Sequence, residues 1–199
     1  MTDRVVVFLD YQNVFRGARE CFGGLTPSSQ AGQVDPRKLA ELIVSRGLGE
    51  RSLQQVRVYR GQPDATRDAK GYGANDRQLA AWRSHPQIKV LTRTLRYPPG
   101  WPADPPEEKG IDVALAIDFV VMAAKREYDI GVTMSTDSDL RPALESVIEM
   151  GGARVEVAAW SAPRARRRLS VADKKIWCHW LDEAHYKAVH DATNYARSD

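Results

Sequence analysis

Residues 5–10 read VVVFLD, which is five apolar residues followed directly by an aspartate. An apolar, β-branched run without alternating polar residues is typical of a strand buried on both faces of a parallel sheet. Four further segments have the same character, and helical patterns separate them along the chain. They cover residues 55–60, 88–94, 130–136 and 154–159. Strands that alternate with helices predict an α/β domain built on one parallel sheet.

The predicted helices cover residues 13–21, 36–47, 75–83, 111–126 and 140–150. Asp35 and Pro36 provide an N-cap and a proline at the first helical position. Two segments do not follow the alternation. Residues 97–108 contain five of the eleven prolines and are predicted to form a loop. Residues 161–199 are predicted to lie outside a domain of residues 1–160, as a basic linker and C-terminal helical extension, with an extended piece at 176–181 and a helix from Asp182 to about 196.

Composition excludes several classes of protein. The chain has 199 residues, 43% of them hydrophobic and 28% charged, which excludes a disordered chain or a fibrous repeat. No apolar run approaches the roughly 20 residues of a membrane-spanning helix. The first residues lack the pattern of a signal peptide, so a cytoplasmic location without membrane contact is predicted. Cys21 and Cys178 lie far apart, which argues against a disulfide framework.

The net charge of +3 is unevenly distributed. Residues 1–160 hold 21 basic and 21 acidic side chains, whereas residues 161–199 hold 8 and 5. Four of those eight are Arg164, Arg166, Arg167 and Arg168, here called the arginine cluster. Such a segment can bind a phosphate-bearing partner such as the RNA backbone, although a solvated linker has the same composition.

Two aspartates follow buried strands directly. Asp10 ends the first predicted strand and Asp137 follows the fourth. The carboxyl ends of parallel strands meet at one edge of the sheet, where ligands bind at the point at which strand order reverses. Asp112 opens the fourth predicted helix, and the proline-rich loop before it is long enough to return to that edge. We therefore expect Asp10, Asp112 and Asp137 to meet in one acidic site.

Clustered carboxylates suit hard cations such as Mg²⁺ or Mn²⁺, and these ions promote phosphoryl chemistry. Asp139 and Asn13 are further candidates, because each lies close in sequence to one of the strand-end aspartates. Asp139 could equally cap the helix at residue 140, and Asn13 could cap the first helix. Asp118 cannot share a helix face with Asp112, so it is predicted either to support the site residues from behind or to have a structural role.

Three segments resemble a known family. FLDYQN at residues 8–13, KGIDVALAIDF at 109–119 and STDSDLRPAL at 135–144 look like the three signature segments of the NYN domain, in the LabA-like branch of the PIN-like nuclease superfamily. The resemblance covers about residues 4–160. It implies a PIN-like three-layer fold, with a five-stranded parallel sheet in the order 3-2-1-4-5 flanked by helices, and Mg²⁺- or Mn²⁺-dependent ribonuclease activity.

By motif match, the resemblance implies that Asp10, Asp112 and Asp137 are the metal ligands, with Asp139 and Asn13 as further catalytic residues. Lys109, just before the second motif, is a candidate RNA contact. Two departures from the family pattern add bulk near the expected site. Tyr11-Gln12 replaces residues that are commonly small, and Thr136 stands where glycine is usual.

Three functions fit these features to different degrees. The leading hypothesis is an endoribonuclease in which a metal-activated water attacks the phosphodiester of single-stranded or structured RNA. The alternative is a non-catalytic regulator that binds RNA or protein and retains the fold. A phosphatase of the haloacid dehalogenase type is disfavoured, because Gln12 occupies the place of its second aspartate. The sequence leaves the oligomeric state open, including a homo-oligomer.

Overall fold

The run VVVFL forms the centre of the sheet, as its continuous apolar character predicts. The computed structural model describes residues 2–163 and 165–196, and seven strands in this part of the chain form one sheet. The strands are β1 (Asp3–Asp10), β2 (Arg51–Gln62), β3 (Ile88–Thr94), β4 (Ile130–Met134), β5 (Arg154–Ala162), β6 (Ala165–Arg166) and β7 (Trp177–Leu181). The helices are α1 (Tyr11–Phe22), α2 (Pro36–Ser45), α3 (Ala69–Arg83), α4 (Ile111–Ala124), α5 (Arg141–Met150) and α6 (Glu183–Val189), and a 3-10 turn covers Ser138–Leu140.

The sheet confirms the predicted strand order. β1 pairs in parallel with β2 on one side and β4 on the other, β3 lies beyond β2, and β5 lies beyond β4. The order 3-2-1-4-5 therefore holds, and it reverses between β1 and β4. The expectation of five strands was too low, because β7 pairs in parallel with β5 and β6 pairs with the end of β5.

Local capping explains where the helices begin. Asp35 accepts hydrogen bonds from the N–H groups of Arg37 and Lys38, with Pro36 at the first helical position, as predicted. α3 begins at Ala69, six residues before the prediction, because the Asp68 side chain accepts from Gly71 N and caps the helix.

The C-terminal extension is less helical than predicted. Asp182 caps α6 as expected, and β7 forms within the predicted extended piece at 176–181. However, α6 ends at Val189 instead of near residue 196, since the backbone turns extended at His190. Leu181, Tyr186 and Val189 are buried in the hydrophobic core, so this segment packs on the sheet. A domain boundary at residue 160 stays a prediction.

Two apolar clusters cover the two faces of the sheet. One face of β1 packs Val5, Val7 and Leu9 against α1, α2 and α3, and the opposite face packs Val6 and Phe8 against α4 and α5. Every one of these five side chains has no solvent exposure. Both faces of β1 are therefore covered, which holds the end of this strand in a fixed position.

Two predicted absences concern cysteines and membrane helices. Cys21 and Cys178 are both free thiols. Across residues 2–163 and 165–196, no helix is long and apolar enough to cross a membrane.

Candidate active site

The candidate site lies at the carboxyl edge of the sheet, where β1 and β4 are neighbours. Leu9 is paired in register with Met134, so the residues that follow the two strands emerge side by side. Asp10 ends β1, and residues 135–137 follow β4. This is the edge and the switch point at which ligands bind in open parallel sheets.

Asp10 is a buried carboxylate held by several donors. Its side chain is the N-cap of α1, accepting from Asn13 N at 3.2 Å and from Asn13 Nδ2 at 2.6 Å. Ser135 Oγ donates to it at 2.9 Å. The residue is 5% exposed, and burial raises its pKa above the usual value, as does the charge of Asp137, although the hydrogen bonds from Asn13 and Ser135 act in the opposite direction. A nearby cation would relieve this burial of charge.

Ser135 links the two strand ends. Its hydroxyl donates to Asp10 and also accepts from Asp137 N at 3.1 Å. Asp137 caps the 3-10 turn by accepting from Asp139 N at 2.9 Å. One serine thus fixes the chain path of β4 relative to the carboxylate of β1. Ser135 was not singled out in the sequence, although it is the first residue of the third signature segment.

Asp112 reaches the same edge through the loop that precedes it. Gly110 takes a left-handed conformation with φ of 73°, which a side chain would disfavour, and α4 begins at the next residue. Asp112 lies in the first turn of α4, where the partial positive charge of the helix N-terminus favours a carboxylate. The proline-rich loop therefore returns to the carboxyl edge, as the sequence predicts.

A cavity of about 230 Å³ brings these groups together. Four carboxylates line it, together with one cation: Asp10, Glu108, Asp112, Asp137 and Lys109. Within the described residues, no three His, Cys, Asp or Glu side chains lie close enough together to hold a metal ion between them. The cavity is thus acidic and open, with space between its carboxylates.

Glu108 is a lining residue that sequence reasoning missed. Its Oε1 accepts from Gly61 N at 2.6 Å, which attaches the proline-rich loop to β2. Burial raises the pKa of this carboxyl, and the charge of Asp10 raises it further. The only sequence signal was its place directly before the second motif, so it could not be distinguished from a solvated loop glutamate.

The other residues predicted at or near the site differ in whether they line the acidic cavity. Asn13 lines the cavity and orients Asp10, while Thr136 Oγ1 donates to Asn13 Oδ1 at 2.8 Å. Asp139 is exposed, does not line the cavity, and lies inside the 3-10 turn instead of capping it. The bulk of Tyr11 is directed away, because its ring is buried and its hydroxyl donates to Val34 O at 3.2 Å.

Asp118 has the structural role that its helix position predicts. Its Oδ2 accepts from the Tyr59 hydroxyl at 2.8 Å and pairs with Arg57 Nη2. Both partners lie on β2, so Asp118 ties α4 to the sheet away from the acidic cavity.

The three described members of the arginine cluster, Arg166, Arg167 and Arg168, do not line the acidic cavity. Arg164 lies outside the described residues. Arg166 stacks over the Trp180 ring at 4.4 Å from its centroid, and Arg168 Nη1 donates to Ile176 O at 3.1 Å. Arg167 is exposed and lines a separate cavity of about 160 Å³, which Asn13 and Thr136 also line. That shared wall connects this basic side chain to the edge that holds Asp10.

Comparisons with known proteins agree with this architecture. The model of the NYN domain family matches residues 4–182, which includes every residue of the acidic cavity and all of β7. A crystal structure of a protein of unknown function from Vibrio parahaemolyticus is similar in fold, with a TM-score of 0.58 and 15% sequence identity over 92% of this chain and 94% of that one. At this identity the likeness concerns the fold alone. No curated protein sequence matches this chain significantly.

Proposed function

This chain belongs to the NYN domain family of the PIN-like nuclease superfamily, and from that premise we propose that it is a metal-dependent endoribonuclease that hydrolyses RNA phosphodiester bonds. The observation that carries the proposal is the shared cavity, because Asp10, Asp112 and Asp137 come from three distant segments and line one opening at the switch point of the sheet. Packing of the core does not require three carboxylates there.

The residues of the cavity fit a hard divalent cation. Carboxylate oxygens are the preferred ligands of Mg²⁺ and Mn²⁺. Mg²⁺ retains several waters and needs only one or two direct carboxylates, so a wide acidic cavity suits it without a closed ligand set. One or two of Asp10, Asp112 and Asp137 would hold the ion directly and the others through its waters, and burial of Asp10 favours a positive charge beside it. When bound, such an ion supplies an activated water and neutralises charge that develops on the phosphate.

The protein's own residues position this chemistry. Asn13 and Ser135 hold the Asp10 carboxylate in one orientation, and Ser135 and Asp139 N hold Asp137 in another. Lys109 is exposed at the rim of the cavity, where its ammonium group would attract the RNA phosphate that the carboxylates alone would repel. The motif match also proposes Asp139 as a catalytic residue, but its side chain is exposed and does not line the acidic cavity.

Cleavage of labelled RNA tests the proposal. The full chain should cut single-stranded or structured RNA in the presence of Mn²⁺ or Mg²⁺, and excess chelator should stop cleavage until the metal is restored. If RNA is bound but stays intact with either metal, the protein is a non-catalytic RNA-binding member of its family. If RNA is neither bound nor cut, the assignment of RNA as substrate is wrong.

Replacing the arginine cluster with glutamine should weaken RNA binding and reduce its dependence on salt. Each phosphate contact with single-stranded RNA contributes a slope of about −0.7 to log K against log salt, so the loss of two or three contacts should be measurable. Fluorescence anisotropy at several salt concentrations gives this slope. Lys187→Gln is the control, because Lys187 pairs with Glu183 on α6 at 2.7 Å. An unchanged slope in the multiple variant would show that the cluster does not contact RNA phosphates.

A further inference from the structure

An exposed tryptophan lies at the start of β7. Trp177 is 49% exposed, and in the part of the chain that the structure describes no other aromatic side chain is exposed. The His179 ring lies 6.4 Å from it at an angle of 79°, so that ring is not stacked on the indole. A single exposed apolar residue is ordinary on a protein surface. The charged groups around Trp177 make this one different.

Basic side chains lead into β7 and lie close to it. Residues 166–175 hold five basic side chains and one acidic one, and all five basic side chains are exposed. Burial raises the pKa of the Cys178 thiol to about 11, while the charges of Arg168 and Arg166 act in the opposite direction. Both guanidinium groups therefore lie near the middle of the strand.

An open cavity of about 450 Å³, here called the β7 cavity, brings the aromatic and basic groups together. It is lined by Arg168, Lys175, Ile176, Trp177, Cys178 and Trp180. Two of these side chains are cations and two are indoles, and no described carboxylate is among them. The β7 cavity is thus opposite in charge to the acidic cavity, which has four carboxylates and one cation.

Contacts within the chain position the two arginines of this surface. Arg166 stacks over the Trp180 ring, and its guanidinium carbon lies 4.4 Å from the ring centroid. Arg168 Nη1 donates to Ile176 O at 3.1 Å. Within residues 2–163 and 165–196, no carboxylate lies within ion-pair distance of either arginine. Both guanidinium groups are therefore held in place without a neutralising partner among these residues.

The strand register gives the distance from Trp177 to the acidic cavity. Trp177 pairs with Glu156 of β5, which pairs with Val132 of β4. Val132 in turn pairs with Val7 of β1, three residues before Asp10. With strands about 4.8 Å apart and a rise of about 3.3 Å per residue, the backbones of Trp177 and Asp10 are about 17 Å apart in the sheet. A chain of a few nucleotides can extend over such a distance.

The basic segment is also attached beside the third signature segment. Arg141 Nε, at the start of α5, donates to Ser170 O at 2.9 Å. Leu169, Val171 and Ile176 are buried in the apolar cluster that covers the α4 and α5 face of the sheet. A strand of RNA that leaves the acidic cavity past Asp137 therefore meets this basic segment next.

We propose that the β7 cavity binds an unpaired stretch of the RNA substrate, with one base stacked on Trp177 and neighbouring phosphates on Arg166, Arg168 and Lys175. This inference rests on the proposed function, because it assigns the cavity to a part of the same RNA outside the acidic cavity. It adds a preference for single-stranded RNA, which carboxylates and a metal ion cannot supply.

The chemistry of the β7 cavity favours RNA over a protein partner. The core of a protein–protein interface is depleted of charged residues, whereas this cavity combines its indoles with cations. Aromatic side chains beside basic ones are the usual means of holding unpaired bases and their phosphates. The bases of a duplex are stacked on one another and offer no free face to Trp177. Because every base has a π-face, stacking on this residue should not depend strongly on sequence.

Fluorescence anisotropy with labelled RNA and the full chain, in chelator, tests the inference without cleavage. Trp177→Leu keeps an apolar side chain but removes the ring, so the affinity for single-stranded RNA should fall about tenfold. The affinities for an RNA duplex and for inorganic polyphosphate should not change. Trp177→Phe restores an aromatic ring and should recover most of the lost affinity. Met150→Ala is the matched control, because Met150 is also 49% exposed and lines neither cavity.

Several outcomes would overturn the proposal. One is unchanged affinity of Trp177→Leu for single-stranded RNA, even if analytical ultracentrifugation shows that this variant loses a dimer, which would identify a protein interface. An equal loss of affinity for polyphosphate, or no recovery in Trp177→Phe, would exclude stacking on Trp177. The outcome also separates this inference from the proposed function. Binding through Trp177 without cleavage in Mn²⁺ would remove the nuclease assignment alone, whereas cleavage by a chain that binds equally well as Trp177→Leu would remove the β7 cavity alone.

Discussion

Asp10→Asn should reduce RNA cleavage by at least about 100-fold while leaving the protein folded. The substitution removes the negative charge that favours a cation in the acidic cavity. Asparagine caps helices as well as aspartate does, and its side-chain oxygen can still accept from Asn13 N. Its NH₂ group takes the place of the oxygen that accepts from Asn13 Nδ2, so that bond is lost. Its NH₂ group can donate to Ser135 Oγ in place of the bond that Ser135 donates to Asp10.

The free energy of unfolding of Asp10→Asn should distinguish a catalytic role of Asp10 from a structural one. Because burial raises the pKa of Asp10, removing its charge offsets part of the cost of the lost bond from Asn13 Nδ2, and the free energy of unfolding should fall by no more than about 2 kcal/mol. Urea denaturation measures this quantity, and single-turnover cleavage of labelled RNA with Mn²⁺ measures activity.

Asp35→Asn is the matched control. Asp35 is also a helix N-cap, accepting from two backbone N–H groups of α2, and it does not line the acidic cavity. Its cleavage rate should equal that of wild type. Full activity in Asp10→Asn would remove Asp10 from the reaction, and equal loss in both variants would show that the assay reports helix capping.

The features that the sequence predicts correctly are those that depend on residues close together in the chain. The run at residues 5–9 has no polar residue, so burial on both faces and a central position followed directly. Asp10 ends β1 and Asp137 follows β4 by three residues, so the parallel pairing of these strands brings both aspartates to one edge of the sheet. Asp112 required only that a loop of twelve residues return to that edge.

The remaining features depend on contacts between distant segments. Glu108 belongs to the site because its side chain meets the backbone of Gly61, 47 residues earlier. Arg60 and Gln78 face one another from a strand and a helix, and neither belongs to a motif. β7 follows a basic segment that resembles a linker, and its pairing with β5 depends on residues about twenty positions earlier in the chain. Periodicity and motif spacing contain no information about such pairs.

One such contact between distant segments, a buried ion pair, should contribute strongly to the free energy of unfolding. Arg51 on β2 donates to both oxygens of Glu156 on β5, at 2.8 and 2.9 Å, and His179 Nε2 on β7 lies 2.7 Å from the same carboxylate. The side chains of Arg51, Glu156 and His179 are 4%, 6% and 1% exposed. This triad joins β2, β5 and β7, so it connects the C-terminal strand to the body of the sheet.

Glu156→Gln should lower the free energy of unfolding by about 3–5 kcal/mol, because it leaves the buried Arg51 without a counter-charge. For a chain of this length, that loss corresponds to a fall in Tm of about 10 °C. Glu41→Gln removes the exposed partner of Arg37 and should change the free energy by no more than about 0.5 kcal/mol. A variant as stable as wild type would show that the triad contributes no net stability.

The pH dependence gives a second measurement of the same triad. Burial alone would raise the pKa of Glu156, but hydrogen bonds from His179 and Arg51 outweigh it and lower the pKa to about 2. A carboxyl whose pKa is lower in the folded state stabilises the protein above its unfolded pKa of about 4.3, and that contribution falls as pH decreases towards 2. The difference in unfolding free energy between wild type and Glu156→Gln, measured in urea, should therefore be constant from about pH 7 to 5 and shrink steadily below about pH 4. A difference that stays constant into the acid range would mean that Glu156 is not the charged group that Arg51 and His179 hold, because only a carboxylate that becomes protonated there can lose its contribution.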